Sequence, residues 1–172
     1  LGVRLVHYPL DRKGLNPLRD LRTLLALRTL LKQEQPEKLF VFTIKPVIYG
    51  SPASAWAGVP PRKDRFAMVT GLGFMFEGGS LVKLLLMQVA RLLYRLAFSR
   101  VSTVFFQNND DRQLFDNLRI MPASTRVEMT KGTGVDITRF APAPSVTSPV
   151  KFLFVGRMLE AKGLYELYEA AT

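Results

Sequence analysis

The 172-residue sequence has no cysteine and a single histidine, His7. Without thiols there is no disulfide framework and no thiolate metal site, and one imidazole cannot make a histidine cluster. A reducing, cytosolic compartment is compatible with that composition. Acid is the other shortage: 14 Asp and Glu stand against 24 Lys and Arg, a formal charge of +10, and no acid occurs between Glu77 and Asp110. Such a chain is attracted to polyanions, whether nucleic acid, an anionic membrane face or phosphorylated small molecules. No Gly-Lys-Ser/Thr follows a glycine loop, so there is no Walker signature, and the dinucleotide fingerprint is missing as well.

What is present is enough apolar material for a core, 48% of the residues. Short apolar runs alternate with helical stretches, a β/α pattern. Strands are expected near Val3 to His7, Leu39 to Thr43, Phe66 to Thr70, Thr103 to Gln107, Arg126 to Thr130 and Lys151 to Val155. Helices are expected near Pro17 to Gln35, Ile48 to Ala57, Leu81 to Arg100 and Asp110 to Asn117, with a last one from Lys162. Five strands with four crossovers make a Rossmann-like, doubly wound parallel sheet over residues 1–140. Phe140 to Pro149 holds three prolines in ten residues and no apolar periodicity, so residues 141–149 read as a linker. Residues 150–172 then open a second domain. Leu1 is not a start Met and no Gly or Asn cap follows Ala171, so a fragment is expected.

The run Phe152 to Val155, then Gly156-Arg157 and Lys162-Gly163 at a helix start, is how a site for a nucleotide-sugar diphosphate would begin. Gly156 allows a sharp turn at a strand's carboxyl end, where a helix N-terminus and two cations suit a diphosphate. The plain alternative is a βα turn with two solvated basic side chains. Lys45, in Thr43 to Gly50, falls at another strand end and could bind phosphate; a surface lysine is the alternative. Thr70 to Phe74, with Gly71 and Gly73, is a loop whose exposed amides could hold an anion; a structural turn is its alternative. Lys131 to Asp136, with Gly134, leaves a further strand end.

Leu81 to Arg100 approaches the roughly 20 apolar residues of a membrane span. Lys83, Gln88, Arg91 and Arg95 interrupt it, opposite an apolar half of Leu81, Val82, Leu85, Leu86, Val89, Leu92, Leu93 and Leu96. Such a helix either packs in the core behind a basic solvent face or lies on anionic headgroups.

Together these segments resemble the retaining glycosyltransferases of family 4, in particular bacterial enzymes that build capsule, O-antigen or glycoprotein glycans on a lipid carrier. The matching stretches are Asp11 to Asp20, Thr43 to Gly50, Val69 to Phe74, Gly132 to Asp136 with Phe140, and Phe154 to Gly163. The resemblance implies the GT-B fold: an N-terminal acceptor-side domain facing a C-terminal nucleotide-sugar domain across a cleft. It implies that Arg157 and Lys162 grip the donor diphosphate and offset the charge of the departing nucleoside diphosphate. Neither a metal nor a cofactor is implied, the nucleotide sugar, a UDP-sugar, being a substrate. Lys45, Gly71, Gly73 and Gly134 would line the acceptor side. The acceptor would be a polyprenyl-diphosphate-linked sugar. Lys83, Arg91 and Arg95 would hold the domain against the anionic inner face of the plasma membrane, making the protein cytoplasmic and peripheral.

The chain also departs from the family pattern. Many family members carry a histidine after an N-domain strand, and His7 comes too early for it; packing is its expected role. The resemblance also implies a missing first strand with its glycine loop, and a missing paired-glutamate segment for the sugar and ribose. Alone, the fragment is expected to be inactive. A basic nucleic-acid-binding module is the second reading, weakened because its cations are not interleaved with exposed aromatics. A non-catalytic Rossmann scaffold is the third.

Overall fold

A computed structural model describes residues 2–11, 16–71, 81–132, 134–142, 149, 152–156, 158 and 162–171, with residues 81–83 by backbone alone. The chain divides into two compact units, Leu1–Gly134 and Val135–Thr172.

The first unit runs α1 (Pro17–Glu34), β1 (Leu39–Phe42), α2 (Ile44–Ala57), β2 (Arg65–Val69), α3 (Leu81–Phe98), β3 (Thr103–Phe106), α4 (Asn109–Asn117) and β4 (Arg126–Met129). Asn16 starts α1: its side chain accepts from the amides of Leu18 and Arg19, and Pro17 occupies the first helical position, where no N–H is needed. Pro46 does not delay α2 to Ile48, because it too falls within a first turn.

All strand pairs are parallel, in the order β1-β2-β3-β4. Right-handed crossovers stepping in one direction put the connecting helices on one face. Val41, Ala67, Val69, Val104 and Phe106 accordingly pack with Val47 and Ile48 of α2, Tyr94 and Phe98 of α3, and Phe115 of α4. Phe115 is the hub, its ring 5.1 to 5.7 Å from those of Tyr94, Phe98 and Phe106. Strand alternation sends Phe40, Phe42, Phe66 and Phe105 to the other face, where Phe40 stacks on Phe66 at 4.6 Å.

Two expected strands are not strands. Residues 3–7 are exposed and unpaired; the segment instead runs antiparallel to α1, with Arg4 bonded to Glu34, the Pro9 carbonyl accepting from Thr23 at 2.8 Å and Asp11 paired with Arg19 at 3.2 Å. These side-chain ties to α1 hold it away from the ladder edge of β1. In the second unit residues 152–155 belong to no strand, Phe152 and Val155 being 91% and 85% exposed. A buried parallel strand needs a neighbour for its hydrogen bonds and cover on both faces. Among the described residues of that unit the one helix is α5 (Leu164–Ala171), and no strand lies beside the run.

The buried line of α3 also differs from the expected one. Ala90, Tyr94, Ala97 and Phe98 face the core, while Leu84, Leu85, Val89, Leu92 and Leu96 are exposed. Two alanines let the helix come close to its neighbours, and a wheel weighted by leucines misses that side.

Candidate functional site

A parallel sheet brings all its carboxyl strand ends to one edge, the edge at which ligands bind in open α/β sheets. Here that edge carries Thr43 to Lys45 after β1, Thr70 and Gly71 after β2, Gln107 and Asn108 after β3, and Thr130 to Gly132 with Gly134 after β4. Gly71 and Gly134 therefore sit on loops of the same edge, where Lys45 lies in the first turn of α2. Gly73 lies outside the described residues.

The chain leaves β1 through Thr43 at φ 67° and ψ 171°. A threonine held there costs about 1–3 kcal/mol, a strain that surrounding structure must overcome. Its carbonyl accepts from the Val47 amide at 3.1 Å and so opens α2. Because Pro46 has no N–H, the amides of Ile44 and Lys45 are the donors of that first turn.

Lys45 Nζ donates to Asp20 Oδ1 at 2.7 Å, and both side chains are only 14% exposed. Asp20 belongs to the first turn of α1, which packs along α2. The Tyr49 hydroxyl, one turn beyond Lys45, shares the same carboxylate. Burial first, and then that hydrogen bond and the Asp20 charge, push the Tyr49 phenol above its ordinary range. Lys45 is thus a clamped cation whose charge Asp20 offsets. Sequence reading gave Asp20 and Tyr49 no role. The four-residue spacing of Lys45 and Tyr49 on one helix face was a usable signal for the tyrosine; nothing local pointed to Asp20.

Gly71, Gly132 and Gly134 have φ of 135°, 85° and 73°, and a Cβ at any of them would meet nothing within 4 Å. Backbone conformation, not crowding, calls for glycine there. Asn108, also missed in sequence, caps α4: its Oδ1 accepts from the Asp111 amide at 2.7 Å and its Nδ2 donates to Asp111 Oδ2 at 3.0 Å. Gln107 Nε2 lies 3.9 Å from Met68 Sδ, across the β2–β3 pair.

A cavity of about 330 Å³ flanks β1, lined by residues including Tyr8, Leu27, Leu31, Phe40, Phe42 and Pro46. Its lining offers almost no polar partner, which suits neither a sugar nor a phosphate. Among the described residues no group of three His, Cys, Asp or Glu could hold a metal ion. His7 is exposed. None of the described helices is long and apolar enough to cross a membrane.

In the second unit the Asp136 carboxylate accepts from the amides of Thr138 and Arg139 and from the Thr138 hydroxyl, closing a turn that ends at Phe140. Those bonds hold its pKa below the ordinary value. Lys162 is exposed just before α5, separated from it by Gly163 at φ 71°. Arg157 lies outside the described residues, as does the Lys83 side chain. Arg91 is partly exposed and Arg95 exposed, both on α3.

A sequential parallel sheet with its glycine-bearing loops gathered at one edge defines a Rossmann-like α/β domain. Residues 2–108 match the family described as Glycosyl transferase 4-like, and the chain belongs to that family. The whole chain also aligns, at 28% identity over 186 positions, with the N,N'-diacetylbacillosaminyl-diphospho-undecaprenol alpha-1,3-N-acetylgalactosaminyltransferase of Campylobacter jejuni. The alignment takes in 48% of that enzyme, so the chain spans about half the length of the curated relative it matches.

Proposed function

We propose that the whole protein transfers a hexosyl or N-acetylhexosaminyl unit from a nucleotide sugar, with UDP as the nucleotide, to a polyprenyl-diphosphate-linked acceptor in bacterial surface-glycan synthesis. The observation that carries this reading is the similarity, over the whole of this chain and about half of the relative, to an enzyme named for a diphospho-undecaprenol-linked acceptor, together with family membership. Arg157 and Lys162 bind the donor diphosphate and stabilise the negative charge that grows on it as the glycosidic bond breaks. The strand-end loops bearing Gly71, Gly73 and Gly134, with Lys45 in the first turn of α2, receive the acceptor. Transfer retains the anomeric configuration by a front-face route, which needs no protein nucleophile. The protein works in the cytoplasm, peripherally at the inner face of the plasma membrane.

The test is an assay of the full-length protein with a panel of UDP-sugars and a polyprenyl-diphosphate-linked sugar. A new lipid-linked product is expected from one donor of the panel. A protein that leaves both substrates intact with every nucleotide sugar overturns the reading.

A further inference from the structure

At the carboxyl edge of the sheet Lys45 carries its own counter-charge. Its Nζ lies 2.7 Å from Asp20 Oδ1, and each side chain is 14% exposed, open enough to meet a ligand and dry enough for its hydrogen bonds to count. The Tyr49 hydroxyl shares the same carboxylate and keeps its proton, because burial and then Asp20 raise the phenol. The cluster therefore sums to no net charge. Two helices build it, with Asp20 in the first turn of α1 and Lys45 in the first turn of α2, and the chain reaches Lys45 through the strained backbone of Thr43.

Such a cluster is a poor grip for a phosphate. With a phosphate oxygen about 3 Å from the ammonium, on the side away from Asp20, repulsion by the carboxylate cancels about half of the attraction. An ionised phosphate also only accepts hydrogen bonds, so the lone pairs of Asp20 would find no donor in it. A sugar hydroxyl does both: it can donate to the Asp20 carboxylate and accept from the Lys45 ammonium. We propose that Asp20, Lys45 and Tyr49 form a sugar-reading site, which binds hydroxyls of the acceptor's sugar and sets which sugar is elongated, while other groups hold the acceptor's diphosphate. This rests on the proposed transfer to a diphosphate-linked sugar and names the part of that acceptor which meets Lys45. An acceptor lacking the matching hydroxyl leaves the mostly buried pair short of a partner, and that is how a hydrogen-bonding site discriminates.

The test compares the full-length protein with Asp20→Leu/Lys45→Met, which removes both charges together and strands neither. Tyr49→Phe supplies a milder change, and melting temperatures report folding. The acceptors are a farnesyl-diphosphate-linked sugar and its analogues each lacking one hydroxyl other than the nucleophile; farnesyl diphosphate serves as a sugar-free inhibitor. Wild type should disfavour at least one deoxy analogue by about tenfold or more in kcat/KM, and the double variant should lose that discrimination. Its KM for the complete acceptor should rise by about tenfold, with the donor KM and inhibition by farnesyl diphosphate unchanged. Tyr49→Phe should reduce the discrimination by about threefold.

Weaker inhibition of the double variant by farnesyl diphosphate would assign the cluster to the diphosphate and overturn the proposal. So would donor and acceptor KM rising together, the mark of a purely structural role. If the double variant does not fold, Tyr49→Phe decides, and full discrimination in it overturns the site. Wild-type protein that elongates no acceptor overturns the transferase reading and the site with it. Transfer whose discrimination survives the variants overturns the site alone and leaves the transferase reading standing.

Discussion

At the scale of single residues, the structure turns Lys45 from an isolated strand-end cation into the centre of a clamp with Asp20 and Tyr49. Removing one partner of a mostly buried pair leaves the other charge poorly solvated. Asp20→Ala should therefore destabilise the protein by about 3 kcal/mol, read from urea unfolding. A second expectation concerns alkaline pH. Burial, and then the charge of Asp111, raise the Tyr94 phenol above its ordinary range. The folded protein then holds that proton more tightly than the unfolded chain. Its contribution is intact below about pH 10 and is lost as pH rises above it. Tyr94→Phe should flatten that alkaline loss in a pH series of melting temperatures; an unchanged slope would contradict the assignment. For the proposed donor side, Arg157→Ala or Lys162→Ala in the full-length protein should lower kcat by about 100-fold with little change in melting temperature. Unchanged turnover in both would sink the diphosphate grip. That Lys45, Gly71 and Gly134 follow strand ends was readable because a strand followed by Gly or Lys leaves a local signature. Asp20 was not, because its partner is 25 residues away and only α1–α2 packing brings them together.

Among the elements, the helices and central strands followed their local signals closely. Asn16-Pro17 marks the start of α1, and short β-rich runs mark the four strands among the described residues. Errors arose where a local pattern needed a partner. Residues 3–7 and 152–155 have strand composition, yet pairing is a tertiary event and neither segment finds a ladder here. The buried side of α3 was misread for a related reason: leucine density reports hydrophobicity, whereas Ala90 and Ala97 report proximity. The aromatic hub gives a direct check on the layer arrangement. Phe115 is fully buried and its ring touches those of residues on α3 and β3. Phe115→Ala should cost about 3–5 kcal/mol, measured by denaturant unfolding. A loss near zero would mean that α4 does not close this face of the sheet.

Over the whole molecule, charge, fold and kinship converge. A net charge of +10 concentrates anionic partners, the parallel sheet gathers its loops on one edge, and the family is one of sugar transferases. The α/β class was legible because alternating strand and helix signals survive at low resolution of reading. The proposed reaction rests on resemblance alone, since neither a lone Gly-Arg nor a Lys-Gly specifies chemistry. The central claim is that the complete protein lengthens a lipid-linked glycan by one sugar. The decisive measurement is the mass of the polyprenyl-diphosphate-linked acceptor before and after incubation with full-length protein and UDP-sugars. The account predicts an increase of one hexose or one N-acetylhexosamine residue from a single favoured donor. An acceptor of unchanged mass, with the donors intact or merely hydrolysed, would contradict it.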